Sequence, residues 1–281
     1  LHIADPGDHG MAPIRKVHDA GYIDFLECAH AEWMKLPNAG PEVWPNVHPY
    51  RGTGADLDRA GPPEGGIVGQ AGWYVGDLAA AIGERTFDAA YASAQYAVLK
   101  GEREAYALCR PPGHHAYRDR ACGFCFLNNA AIAAEHLRSR FARVAILDFD
   151  THHGDGTQAI FYDRGDVLVA STHTDPTSYY PFYSGFASET GRGAGAGANL
   201  NLPLPQGADD AAYVAACRRL AEAAVAFGAE ALVLSAGWDA HREDPTSRLA
   251  VTSEAYGPIG EIFGRLGLPT VILQEGGYSL S

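Results

Sequence analysis

The chain has 281 residues, 47% apolar and 20% charged, the make-up of an ordinary globular protein with room for a large core. Its formal charge of −13 disfavours nucleic acid as a partner and favours a cationic one. Five scattered cysteines argue against a disulfide framework and for a reducing, cytoplasmic setting, and no apolar run approaches the ~18 residues of a membrane span.

Residues 14–35 carry apolar residues at helical spacing around a glycine and predict one or two helices. From 36 to 72 prolines and glycines leave no regular periodicity. This stretch reads as a long insertion loop, packed rather than floppy because it carries Trp44 and Tyr50. Residues 87–100 predict a small-residue helix ended by Gly101. Strand, loop and helix then alternate. Strands are expected at 105–109, 144–148, 167–171, 231–235 and 270–274, with NLNLPLP as an edge segment. Helices are expected near 128–140, 157–163, 209–227 and 253–266. That alternation implies an α/β fold with a parallel sheet covered by helices on both faces, and a single domain over 1–281. The chain opens on Leu rather than Met, and its N-terminus is read as incomplete or processed.

One stretch concentrates the chemistry. VAILDFDTHHGDG (144–156) starts as a buried-strand run and becomes Asp148, Asp150, His152, His153 and Asp155 within a few residues. Alternation places Asp148, Asp150 and His152 on one face of an extended segment. Unpaired buried carboxylates are costly, and a divalent metal is the simplest partner for them. Ligands of open parallel sheets bind beyond the carboxyl ends of the strands, and all five strands run into polar loops there. Asp150, His152 and Asp239 are the candidate metal ligands, leaving a position open for water. His114 and His115 are the candidate acid–base pair, oriented by Asp148 and Asp155. Tyr278 is the candidate donor to a developing oxyanion. Two carboxylates and one imidazole suit zinc and iron(II) alike.

Five motifs in this order, RPPGHHA (110–116), GFCFLNNAAIAA (123–134), DFDTHHGDGTQ (148–158), SAGWDAH (235–241) and QEGGY (274–278), resemble the zinc-dependent histone deacetylase superfamily. Within it the likeness is greatest to the bacterial acetylpolyamine amidohydrolases, and it covers nearly the whole chain. The resemblance implies an arginase-like, three-layer α/β fold with a mostly parallel sheet, here expected to lack the family's first strand and C-terminal helix. It implies zinc-dependent hydrolysis of acetylpolyamines, or similar small acylated amines, to acetate and free amine. A deacetylase of acetyl-lysine in proteins is the alternative, and after it a non-catalytic metal- or amine-binding homologue.

By motif, Asp150, His152 and Asp239 match the family's zinc ligands, and His114 and His115 its tandem histidines, the second being the principal acid–base. Tyr278 matches the tyrosine that hydrogen-bonds the scissile carbonyl, and Gly123, Phe124 and Tyr180 the wall of a narrow tunnel. A structural potassium ion is implied at Asp148 and Ser171 with main-chain oxygens of Asp150, His152 and Thr172. A second is implied near Phe161, Arg164, Val167 and Tyr213. The insertion looks like a dimerisation loop, so a homodimer is implied, with Glu64 and Asp77 as rim carboxylates for a thin cation. Trp238 is bulkier than the family pattern and is expected to reshape the pocket, while Cys122 and Cys125 are expected to stay reduced.

Overall fold

The computed structural model describes residues 3–48, 66–98 and 103–280. Its centre is a six-stranded sheet of β1 (Glu104–Ala107), β2 (Val144–Asp148), β3 (Val167–Thr174), β4 (Asn199–Leu204), β5 (Ala231–Ala236) and β6 (Thr270–Gln274). The strand order is β1-β6-β5-β2-β3-β4, and every pair is parallel. NLNLPLP is the edge strand β4, as its composition suggests.

Side chains alternate across the sheet and fill two cores. Val144, Ile146 and Val233 point into one, and Ala145, Leu147, Leu232 and Leu234 into the other. A central strand buried on both faces therefore reads as a continuous apolar run. Each such Leu, Ile or Val contributes about 1.5–3 kcal/mol by burial. The first core is closed by α2 (Ala20–Trp33), α4 (Thr86–Tyr96) and α5 (Asn129–Arg138). The second is closed by α7 (Asp210–Phe227) and α8 (Tyr256–Gly264).

Local sequence sets the ends of these helices. The Asn128 side chain accepts the Ala131 N–H to cap α5, and Asp209 accepts the Ala212 N–H to cap α7. Gly228 stops α7 in a left-handed conformation, φ +75°, that a residue with a Cβ resists. One expectation needed correction, and one was settled between its alternatives. The stretch over 36–72 is not irregular throughout: α3 (Ile67–Tyr74) forms at its end, burying Ile67, Ala71 and Tyr74. Pro13 starts a separate single turn, α1 (Ala12–Arg15), ahead of α2. Among the described residues no helix is long and apolar enough to cross a membrane.

Candidate active site

β2 ends at Asp148 in the middle of the sheet, opposite Ser171 of β3 and Ser235 of β5. Beyond it the chain does not stay extended, as the alternation predicts; it coils. The Asp150 N–H donates to Asp148 Oδ1 at 3.0 Å, and the His152 N–H donates to Asp150 Oδ1 at 2.8 Å. These successive aspartate turns carry Asp150 and His152 past the sheet's carboxyl edge before α6 (Asp155–Phe161) begins. Asp239, from the loop after β5, meets them there, its Oδ1 accepting the Thr151 N–H at 3.1 Å.

One ligand atom from each of Asp150, His152 and Asp239 lies within 4.8 Å of the others. His152 Nδ1 sits 3.0 Å from Asp150 Oδ1 and 3.2 Å from Asp239 Oδ2. That Asp239 oxygen is buried and has no aligned hydrogen-bond donor. Backbone approaches so closely that a Cβ at Gly276 would lie 2.1 Å from Asp239 Oδ2, and one at Gly237 2.2 Å from Asp150 Oδ2. Both glycines are therefore required beside the carboxylates. Burial, then repulsion from Asp150, pushes Asp239 up to about 6. Burial opposes charge on His152, yet the bond to Asp150 and the nearby Asp239 carboxylate lift it to about 9. Two buried carboxylates and an imidazole around an unmatched oxygen call for a cation, and the donor set fits a divalent metal.

The tandem histidines lie alongside, with ring centroids 4.0 Å apart. His114 Nδ1 is 3.0 Å from Asp148 Oδ2, and His115 Nδ1 is 2.7 Å from Asp155 Oδ1. Their environments drive them apart. Burial pulls His114 down, but Asp148 and then Asp150 outweigh it and hold its pKa well above an ordinary imidazole. Burial also lowers His115, and the His114 charge adds to that, leaving it below its ordinary value. The result is an imidazolium beside a neutral imidazole, the separation expected of an acid–base pair. Glu275, at the end of β6, fixes their loop: Oε2 accepts the N–H groups of Gly113 and His114 at 2.7 and 3.1 Å, and Oε1 the Ser235 hydroxyl at 3.0 Å. Burial raises that carboxyl to about 7.

Gly123 and Phe124 form the tip of a tight turn closed by reciprocal backbone bonds between Cys122 and Cys125. Both tip residues have positive φ, +51° and +67°, as a two-residue hairpin of type I′ demands. A Cβ at Gly123 would lie 2.4 Å from the His115 ring and 2.8 Å from the Tyr180 hydroxyl. The turn thus sets Phe124 at the site's edge, its ring 5.8 Å from that of Tyr278. Tyr180 stands edge-on to His115 at 5.0 Å, and its hydroxyl donates to Asp77 Oδ2 at 2.6 Å. Asp77 also accepts the Gly123 N–H at 3.1 Å, so this carboxylate ties two wall segments together. Tyr278 takes its place through its N–H, which donates to Asp244 Oδ2 at 2.6 Å. Burial and then the charges of Asp150 and Asp239 raise its hydroxyl, keeping it a proton donor.

The histone deacetylase domain model matches residues 2–281. The chain belongs to that family. It is 47% identical to an acetylpolyamine amidohydrolase of Burkholderia pseudomallei, over 99% of this chain and 81% of the relative. It is 46% identical to acetylpolyamine amidohydrolase 1 of Pseudomonas aeruginosa, over 98% of this chain and 80% of that one. A crystal structure of the Burkholderia pseudomallei acetylpolyamine aminohydrolase superposes with a TM-score of 0.92 at 47% identity, covering 99% of this chain and 81% of that one.

For a histone deacetylase-family chain, the structure thus gathers His114, His115, Asp148, Asp150, His152, Asp155 and Asp239 into one buried cluster. The residues of the outer cation set have their side chains engaged elsewhere. Phe161 and Val167 pack in the first core, while Tyr213 packs in the second and donates to the Phe149 carbonyl. The Arg164 guanidinium is spent on Asp166 and Glu135. Trp238 turns into the second core against Phe149 and Tyr256, so its bulk goes to packing rather than to the pocket. All five cysteines are free thiols. Glu64 lies outside the described residues.

The aromatic supports went unread in the sequence. Tyr179 stacks on His152, centroids 5.0 Å apart and 17° between planes. Tyr117 and Tyr183 both donate to Asp155 Oδ2, at 2.8 and 3.2 Å. The run of three tyrosines and a phenylalanine over 179–183 was the available signal.

Proposed function

We propose that the chain hydrolyses acetylated polyamines: water adds across the amide, the C–N bond breaks, and acetate and a free amine leave. The deacetylase class follows from the family and from relatives named acetylpolyamine amidohydrolase at 41–47% identity. The observation that carries the reading is the Asp150–His152–Asp239 donor set beside a His115 oriented by the Asp155 carboxylate.

In this reading those three residues hold zinc, or iron(II), which suits the same donors. Such an ion supplies polarisation of the acetyl carbonyl and acidifies the attacking water. His115, held at Nδ1 by Asp155, takes the water's proton and returns it to the leaving nitrogen. His114, kept cationic by Asp148, stabilises developing negative charge, and the Tyr278 hydroxyl donates to the acetyl oxygen. Gly123, Phe124 and Tyr180 form the tunnel, and Asp77 and Glu64 supply negative charge for a cationic substrate. Asp148 and Ser171, with main-chain oxygens of Asp150, His152 and Thr172, form a structural potassium site. The chain acts as one cytoplasmic domain that pairs as a homodimer through the 36–72 insertion.

The test is acetate release from N-acetylputrescine, N-acetylspermidine and an acetyl-lysine peptide. Turnover of the polyamines well above the peptide is the expected result. Turnover of the peptide alone would overturn the substrate assignment and leave the chemistry standing.

A further inference from the structure

Among the described residues, three that are not glycine have positive φ: Asn38, Phe124 and Phe182. Asn visits this region readily; phenylalanine does not. The hairpin geometry accounts for Phe124. Phe182, at φ +72°, closes a turn instead, its N–H donating to the Tyr179 carbonyl at 3.0 Å, and the residue is 59% exposed, so core packing does not hold it there. Strain kept at an exposed aromatic beside an active site points to a use for that ring.

Its neighbours indicate the use. The Phe182 ring stands edge-on to Tyr180, centroids 6.4 Å apart, and Tyr180 stands edge-on to His115 at 5.0 Å. The Tyr180 hydroxyl rests on the Asp77 carboxylate at 2.6 Å. Outward from the histidines the order is therefore catalytic imidazole, wall tyrosine, exposed phenyl face, with a carboxylate behind the tyrosine. An exposed phenyl ring attracts an organic cation, and a carboxylate one residue further in adds to the pull.

We infer that Phe182 is a specificity residue that binds the distal ammonium of the substrate by a cation–π contact, an inference that rests on the reading of the site as an acylated-amine hydrolase. The amide lies at His115 and His152, the alkyl chain passes Tyr180, and the protonated amine meets the Phe182 ring. The strained backbone turns that ring to the mouth.

The experiment compares kcat/KM for N-acetylputrescine and for N-pentylacetamide, its uncharged isostere, in the native protein, Phe182→Leu and Phe182→Trp. The expected result is a loss on the order of tenfold in Phe182→Leu on the charged substrate, carried by KM, with the neutral substrate unchanged and Phe182→Trp near native. Equal losses on both substrates, or none, would overturn the inference. Calorimetric binding of spermidine supplies a second readout: weaker binding in Phe182→Leu supports it, and unchanged binding contradicts it, even if the protein turned over no amide and the functional reading fell. Phe182→Gly, which relieves the positive φ, should melt at or above the native temperature; a lower melting temperature would make the ring a packing residue and sink the idea.

Discussion

The Tyr117 hydroxyl donates to Asp155 Oδ2 at 2.8 Å while the other oxygen of Asp155 holds His115 Nδ1 at 2.7 Å. Burial by itself would raise Asp155, but the bond from His115, and further down that from Tyr117, keep it below the usual carboxylate range. Tyr117 thus helps fix the orientation of the imidazole proposed as the acid–base. Tyr117→Phe should lower kcat roughly tenfold, the value of one hydrogen bond to a charged group, with little change in KM. Tyr183, at a longer 3.2 Å, compensates only in part. Steady-state kinetics on N-acetylputrescine decide it; a native kcat in the variant would remove Tyr117 from the account.

Metal binding should be visible in stability as well as in activity. A ligand at 100 times its Kd stabilises a fold by about 2.7 kcal/mol. Zinc added to metal-free native protein should therefore raise its melting temperature by several degrees. Asp239→Ala removes one of the three donors and should show little or no rise under the same conditions. An equal rise in both proteins would place the zinc elsewhere.

Asp77 links the Gly123 and Tyr180 segments, so its loss should matter more than loss of the Tyr180 hydroxyl it receives. Tyr180→Phe keeps the ring against His115 and should retain kcat/KM within about threefold, the net worth of one part-buried hydrogen bond. Asp77→Ala releases Tyr180 and the Gly123 N–H together and should raise KM about tenfold. The reverse ranking in the same kinetic assay would show that Asp77 holds neither.

His18, which touches none of the three donor residues, gives the fold an acid limit. It is buried, its Nε2 accepts the Asn128 N–H at 2.9 Å, and Nδ1 lies 3.3 Å from the Arg118 carbonyl. Burial lowers its pKa to about 4 from an ordinary 6.5, against the opposing pull of the Arg118 and Tyr117 carbonyls. The folded state therefore disfavours the charged form. Its contribution is complete above pH 6.5 and is lost as pH falls toward 4, about 3 kcal/mol in all. Urea midpoints at pH 7.5 and 4.5 test this. His18→Gln should start less stable at pH 7.5, yet lose less on acidification than the native protein. An identical pH decrement in the two proteins would rule His18 out as the cause.

The ligand motifs were legible because a parallel sheet collects chemistry at its carboxyl edge, and polar residues directly after apolar runs can only fall there. Asp148 opposite Ser171 follows from strand register alone. What escaped notice has physical reasons. α3 is flanked by glycines and prolines that hide its periodicity, and its buried face became visible only with its neighbours. Tyr179 and Tyr183 sit in a loop, where neither a two- nor a 3.6-residue period says which ring meets which histidine. Tyr213 lies on α7, two strands after Phe161 in sequence but on the other face of the sheet, a distinction that motif spacing does not carry.

The most direct test of the central claim is a titration of metal-free protein with zinc while acetate release from N-acetylputrescine is followed, with Asp150→Ala beside it. The account predicts activity that climbs linearly to one zinc per chain and then levels, and none at any zinc concentration in the variant. Turnover by metal-free protein, or turnover that survives in Asp150→Ala, would contradict it.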